Sequence, residues 1–134
     1  MSVVVDVSVL VAALVDSGSH GSWAEHILAS GPLHSPELVR IEAASGLRRL
    51  ESSSAITTRE ANSAHAELWR LDLELLPSDP FAQRIWELRR TVTPYDAWYV
   101  AAAEALDLPL ATLDARLRRA SGPRCRFLVP GLEP

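Results

Sequence analysis

Four carboxylates stand at positions from which they could act together. Asp6 follows Val3-Val4-Val5, and Asp114 follows Ala111-Thr112-Leu113. Both are expected at the carboxyl ends of short apolar strands, where open α/β sheets place their ligand sites. Asp96 lies two residues after Pro94, in the first turn of a helix that Thr93-Pro94 opens, near the helix's positive end. Glu42 follows Leu38 and Val39 on a helix whose inward side continues through Ala43, Gly46 and Leu50. A buried carboxylate there needs a compensating cation. Each position also has a structural explanation: dipole matching for Asp96, an N-cap for Asp114, and an ion pair with Arg49 for Glu42. The alternative is a site for one or two divalent metal ions shared by Asp6, Glu42, Asp96 and Asp114. An all-oxygen donor set suits Mg²⁺ or Mn²⁺ rather than zinc. His20, His26, His34 and His65 show no ligand spacing, and their scatter argues against a histidine acid–base pair.

The elements that must carry these acids follow from the local patterns. Val3 to Val5 reads as a buried strand, and Leu10, Val11 and Leu14 mark a helix after it. Ser22-x-x-Glu25 has the form of a capping box that opens a helix, ended by Gly31-Pro32. Leu33-His34 is a brief second strand. Ser35-Pro36-Glu37 reads as a helix start, running to about Leu50. Thr57-x-x-Glu60 is a second capping box, for a helix to about Leu71, followed by a strand over Leu73 to Leu76. Ser78-Asp79-Pro80 and Thr93-Pro94 start two more helices, the second continuing to about Leu106. Pro109 to Thr112 is a strand, Asp114 to about Ala120 a short helix, and Cys125 to Val129 the last strand before the tail Pro130 to Pro134. Strands alternating with helices predict an α/β fold with a parallel sheet covered on both faces. The four tryptophans, Trp23, Trp69, Trp86 and Trp98, are expected in the core by default, with a partner groove or a homodimer contact as the alternative.

Composition narrows the function. A chain of 134 residues, 48% hydrophobic, fits one domain with a single core. No apolar run approaches the ~20 residues of a membrane span, and no signal-peptide pattern opens the chain, so the expected place is the cytoplasm. The single cysteine, Cys125, fits a reducing compartment and a small buried apolar role. The net charge is −4, and all 13 cations are arginine. Without lysine, Walker-type phosphate loops, receiver-type phosphoaspartate sites and Schiff-base enzymes are excluded.

Val3-Val4-Val5-Asp6-Val7-Ser8, Leu38-Val39-Arg40-Ile41-Glu42-Ala43-Ala44, Thr93-Pro94-Tyr95-Asp96-Ala97 and Ala111-Thr112-Leu113-Asp114 resemble, in this order, the four acidic motifs of PIN domains. The likeness is strongest to the small stand-alone PIN ribonucleases that act as VapC-type toxins of bacterial toxin–antitoxin pairs, and it spans residues 1–134. The resemblance implies a three-layer PIN fold with a central four- or five-stranded parallel sheet. It implies Asp6, Glu42, Asp96 and Asp114 as the catalytic, metal-holding quartet, with Ser8 and Thr112 as accessory hydroxyls. Hydrolysis of RNA phosphodiesters with Mg²⁺ or Mn²⁺, a VapB-type antitoxin partner and a homodimer are also implied. Arg48 and Arg49, beside Glu42, and Arg116, Arg118 and Arg119, after Asp114, are the candidate RNA phosphate contacts. Residues 52–79 match nothing specific. Two rival readings are a PIN-fold binding module with little catalysis and a phosphatase-like α/β protein. The second lacks an acid two residues after Asp6, where Ser8 stands, and has no lysine.

Overall fold

In a computed structural model, which describes residues 1–131, five strands form one parallel sheet. They are β1 (Val3–Val5), β2 (Leu33–Pro36), β3 (Leu73–Leu76), β4 (Leu110–Ala111) and β5 (Phe127–Leu128), in the order β3-β2-β1-β4-β5. Seven α-helices connect or flank them among the described residues: α1 (Val7–Val15), α2 (Ser19–Leu28), α3 (Val39–Ser52), α4 (Thr58–Arg70), α5 (Ala82–Glu87), α6 (Pro94–Leu106) and α7 (Ala115–Arg119). The chain moves outward from β1 to β3, then returns past β1 to add β4 and β5. Right-handed crossovers in opposite directions put α1 to α4 on one face and α5 and α6 on the other. Reversal of strand order between β1 and β4 makes that pair the topological switch point.

The valines of β1 are completely buried because both faces of the central strand are covered. On one face α6 lies against β1, β2 and β4, and its run from Ala97 to Ala103 is buried throughout. Its small alanines let the helix axis approach the sheet. On the other face α1 packs against α2, α3 and α4. Gly21 allows the turn between α1 and α2, since a Cβ there would come within 1.8 Å of the Asp16 carbonyl oxygen. A second cluster of Leu47, Ile56, Ala61 and Ala64 joins α3 to α4.

Most expected starts hold. The Thr57–Glu60 capping box is formed in full, and Thr93 caps α6 with Pro94 in the first turn. Two do not. Ser22 and Glu25 lie inside α2, which begins at Ser19. The Asp16 carboxylate accepts the Gly18 N–H at 2.6 Å and turns the chain early, so the helix needs no box at Ser22. Ser35 and Pro36 belong to β2, not to a helix. The Ser35 hydroxyl donates to the Val5 carbonyl at 2.7 Å, which holds the segment in the sheet, and α3 starts at Val39. Consequently Leu38, expected on the inward face, is 40% exposed, and the buried stripe is Val39, Ala43, Gly46 and Leu47. The strands after Pro109 and Cys125 are shorter than expected, two residues each. Of the tryptophans, Trp98 is buried and Trp23 packs partly against the core. Trp69 and Trp86 are exposed, their rings covered by the guanidinium groups of Arg40 and Arg89. Part of the tail expected from Pro130 to Pro134 lies outside the described residues.

Candidate active site

The ends of β1 and β4 are stitched together by side chains. Asp6 follows β1, and its backbone N–H donates to the Ala111 carbonyl of β4. Its carboxylate caps α1, accepting the Ser8 and Val9 N–H groups at 3.0 and 3.3 Å on Oδ1. The same oxygen accepts the Ser8 hydroxyl, and Oδ2 accepts the Thr112 hydroxyl. Each hydroxyl in turn accepts a backbone N–H from the β4 side: Leu113 to Ser8 at 3.0 Å and Asp114 to Thr112 at 2.9 Å. Ser8 and Thr112, which the motifs implied as accessory hydroxyls, fix the Asp6 carboxylate between two strand ends. Asp6 is 4% exposed. Burial pushes its carboxyl up to about 6, against the pull of those hydroxyls and N–H groups.

The other three acids come from helix starts arranged around this centre. Glu42 is in the first turn of α3 and Asp96 in the first turn of α6. Asp114 caps α7, accepting the Arg116 and Leu117 N–H groups at 2.9 and 3.3 Å. The N-cap explanation for Asp114 is thus correct, and it coexists with the placement beside Asp96. Glu42 and Asp96 are both half-buried. Burial raises the Glu42 carboxyl, the Tyr99 hydroxyl opposes this, and the charges of Asp96 and Asp6 raise it further. Burial also raises Asp96, as does the charge of Asp114, while Thr93 and Arg116 pull the other way. The four acids form a chain of electrostatic neighbours, Asp6 to Glu42 to Asp96 to Asp114.

Sequence reasoning missed Tyr99. Its hydroxyl donates to Glu42 Oε1 at 3.0 Å from the buried face of α6. It stands three residues after Asp96, so both side chains share one face of the helix, which is the one signal available beforehand. Arg49, the ion-pair partner in the structural explanation of Glu42, makes no salt bridge to it. The exposed Arg49 instead shares a pocket with Glu42, and Arg116 shares a cleft with Asp96 and Asp114. Arg48, Arg118 and Arg119 are exposed and line neither. None of the four acids has a salt-bridge partner among the described residues. Nor, among those residues, do any three histidine, cysteine or acidic side chains close into a ready-made metal cage. The carboxylates thus form an open array, in no salt bridge among the described residues and with oxygen donors alone, a donor set that fits a hard divalent cation.

A family model of the PIN domain matches residues 3–123. The chain is 39% identical over 127 residues to ribonuclease VapC9 of Mycobacterium tuberculosis, covering 95% of this chain and 97% of that one. The protein belongs to the PIN-domain family, among the VapC ribonucleases. It is also 37% identical over 125 residues to ribonuclease VapC1 of the same organism, covering 92% and 94% of the two chains. Among solved structures, VapBC-5 of Mycobacterium tuberculosis, a member of the VapBC family of toxin–antitoxin systems, superposes with a TM-score of 0.57 at 22% identity and covers 96% of each chain. That likeness is one of fold, and the five-stranded parallel sheet is the architecture expected of a PIN domain. No helix among the described residues is long and apolar enough to cross a membrane.

Proposed function

We propose that this PIN domain is an endoribonuclease that hydrolyses RNA phosphodiesters with Mg²⁺ or Mn²⁺, the toxin of a toxin–antitoxin pair. The observation that carries the reading is the array of four acids at the switch point, two of them raised by burial and then by the charge of a neighbouring acid, and none in a salt bridge among the described residues. A PIN-fold module without catalysis would have no reason to hold so much unpaired negative charge in one half-buried place. Asp6, Glu42, Asp96 and Asp114 would hold the metal, which when bound supplies an activated water and neutralises charge on the phosphate. Ser8 and Thr112 keep Asp6 in one orientation. Tyr99 occupies one oxygen of Glu42, which leaves the other for the ion. Arg116 and Arg49 stand beside the acids to meet flanking phosphates. Water attack needs no 2′-hydroxyl, so the products carry a 5′-phosphate and a 3′-hydroxyl.

The name of the solved relative, a member of a toxin–antitoxin family, supports an antitoxin partner of the VapB type for this chain as well; a homodimer rests on the motif resemblance alone. A groove between α1 and α3, lined by Val11, Val15, Leu50 and Ile56, runs up to Ser8 and Arg49 at the edge of the site and suits an apolar segment of such a partner.

The test is direct. Cleavage of RNA should vanish in a chelator and return with Mg²⁺ or Mn²⁺. Asp6→Asn should remain folded yet lose roughly 10²-fold or more of the cleavage rate. Activity that survives chelation, or product ends bearing a cyclic phosphate, would overturn the mechanism.

A further inference from the structure

The acid array does not lie at the bottom of one cleft; it borders two. On the Asp96–Asp114 side the cleft, about 260 Å³, is edged by Thr91, Thr93 and Arg116 together with Val92, Leu117 and Ala120. On the Glu42 side the pocket, about 290 Å³, is walled mainly by Val7, Leu38, Ile41 and Tyr95, with Glu42 and Arg49 its only charged groups. Leu38, Ile41 and Tyr95 are 40%, 59% and 51% exposed, and none belongs to a core cluster. One exposed apolar side chain is ordinary; three converging on the rim of a carboxylate site are not. The fold makes no use of them, and neither does the metal-holding array.

Their size and company select an occupant. The pocket lies at the small end of ligand sites. It can take one planar ring system but not a peptide helix about 10 Å across. An aromatic ring offers a stacking face, aliphatic groups offer edges, and Arg49 supplies a positive charge on the same wall. A nucleotide presents the complementary set, a flat base joined to an anionic backbone.

Resting on the ribonuclease reading, we infer that Leu38, Ile41 and Tyr95 form a subsite for an unpaired nucleobase beside the scissile phosphate, with Tyr95 as the stacking surface. The strand then passes from this pocket, across the acids, to the cleft edged by Arg116. A base in a duplex is already stacked and cannot enter, so the subsite takes a base that has left its stack.

The experiment uses the full chain with Mn²⁺ and short labelled RNAs whose cut site has been mapped. One RNA is unstructured, one is its duplex, and others carry an abasic nucleotide at successive positions around the cut. Tyr95→Ala should raise KM about tenfold on the unstructured RNA. Tyr95→Phe, which keeps the ring, should recover most of that loss. An abasic nucleotide at one flanking position should weaken cleavage by the parent protein similarly and add little to the Tyr95→Ala defect. The duplex should be cut poorly. Additive effects, or abasic substitution without effect at every flanking position, overturn the subsite while leaving the nuclease intact. A change in molar mass of Tyr95→Ala in light scattering, with abasic RNAs cut normally, also overturns it and assigns the patch to a second copy of the chain. A parent protein that cuts no RNA with Mn²⁺ overturns the ribonuclease reading itself, and the subsite with it.

Discussion

Asp6 does two jobs with one carboxylate. It caps α1, and it is held by the Ser8 and Thr112 hydroxyls at the junction of β1 and β4. Such a group is costly to bury, and its hydrogen bonds limit that cost. Thr112 is completely buried, donates to Asp6 and accepts the Asp114 N–H, so it links two of the four acids. Thr112→Val preserves the shape and removes both bonds. It should cost about 1–3 kcal/mol of stability in urea unfolding. It should also slow cleavage by roughly tenfold or more, because Asp6 loses its orientation. Parent-like stability and activity in this variant would show that the hydroxyl is a bystander.

At the scale of elements, the short α5 and the long α6 are joined by one ion pair. Arg84 of α5 donates to both oxygens of Glu104 of α6, at 2.8 and 3.2 Å, and also to the Gly122 carbonyl. The Glu104 carboxylate accepts the Arg124 N–H at 2.7 Å. This ties the connection before β5 to the face of the sheet that α6 covers. Burial raises the Glu104 carboxyl, but the Arg84 and Arg124 contacts outweigh it and leave the group below its ordinary 4.5. A carboxyl depressed in the folded state stabilises the fold above its unfolded pKa. That support is lost as pH falls through the folded value. Glu104→Gln should therefore cost about 1–3 kcal/mol at pH 7, partly because Arg84 is left unpaired. The gap to the parent should narrow as urea midpoints are measured at pH 5 and then below the ordinary 4.5. A gap that stays constant with pH would mean that shape, not charge, joins the two helices.

At the scale of the molecule, a net charge of −4 coexists with a proposed polyanionic substrate. The conflict eases because charge is distributed unevenly. Arg49 borders the Glu42 pocket and Arg116 the Asp96–Asp114 cleft, on either side of the acids. RNA binding should weaken with rising salt, and Arg49→Ala and Arg116→Ala should each reduce the slope of log affinity against log salt by about 1. Arg48, Arg118 and Arg119 line neither cleft, so alanine there should change the slope less. Equal effects at all five arginines, read from binding titrations over a salt series, would argue for a diffuse basic surface instead.

The order of the acidic motifs, the alternation of strands and helices, and the starts at Thr57 and Thr93-Pro94 were all determined by local chemistry. Strand propensity, capping and dipole preference act over a few residues, so they can be read from a few residues. Tertiary packing decided the rest. Ser35-Pro36 has the local form of a helix start, yet the Val5 carbonyl and strand β3 hold it in the sheet. An ion pair with Arg49 is one local explanation for Glu42, yet Glu42 meets Tyr99, 57 residues away, because α3 and α6 both begin at the carboxyl ends of the strands. The sequence alone named four carboxylates and two hydroxyls. Only the parallel sheet, by reversing its order between β1 and β4, brought them to one place, since contacts across so many residues depend on topology and not on spacing.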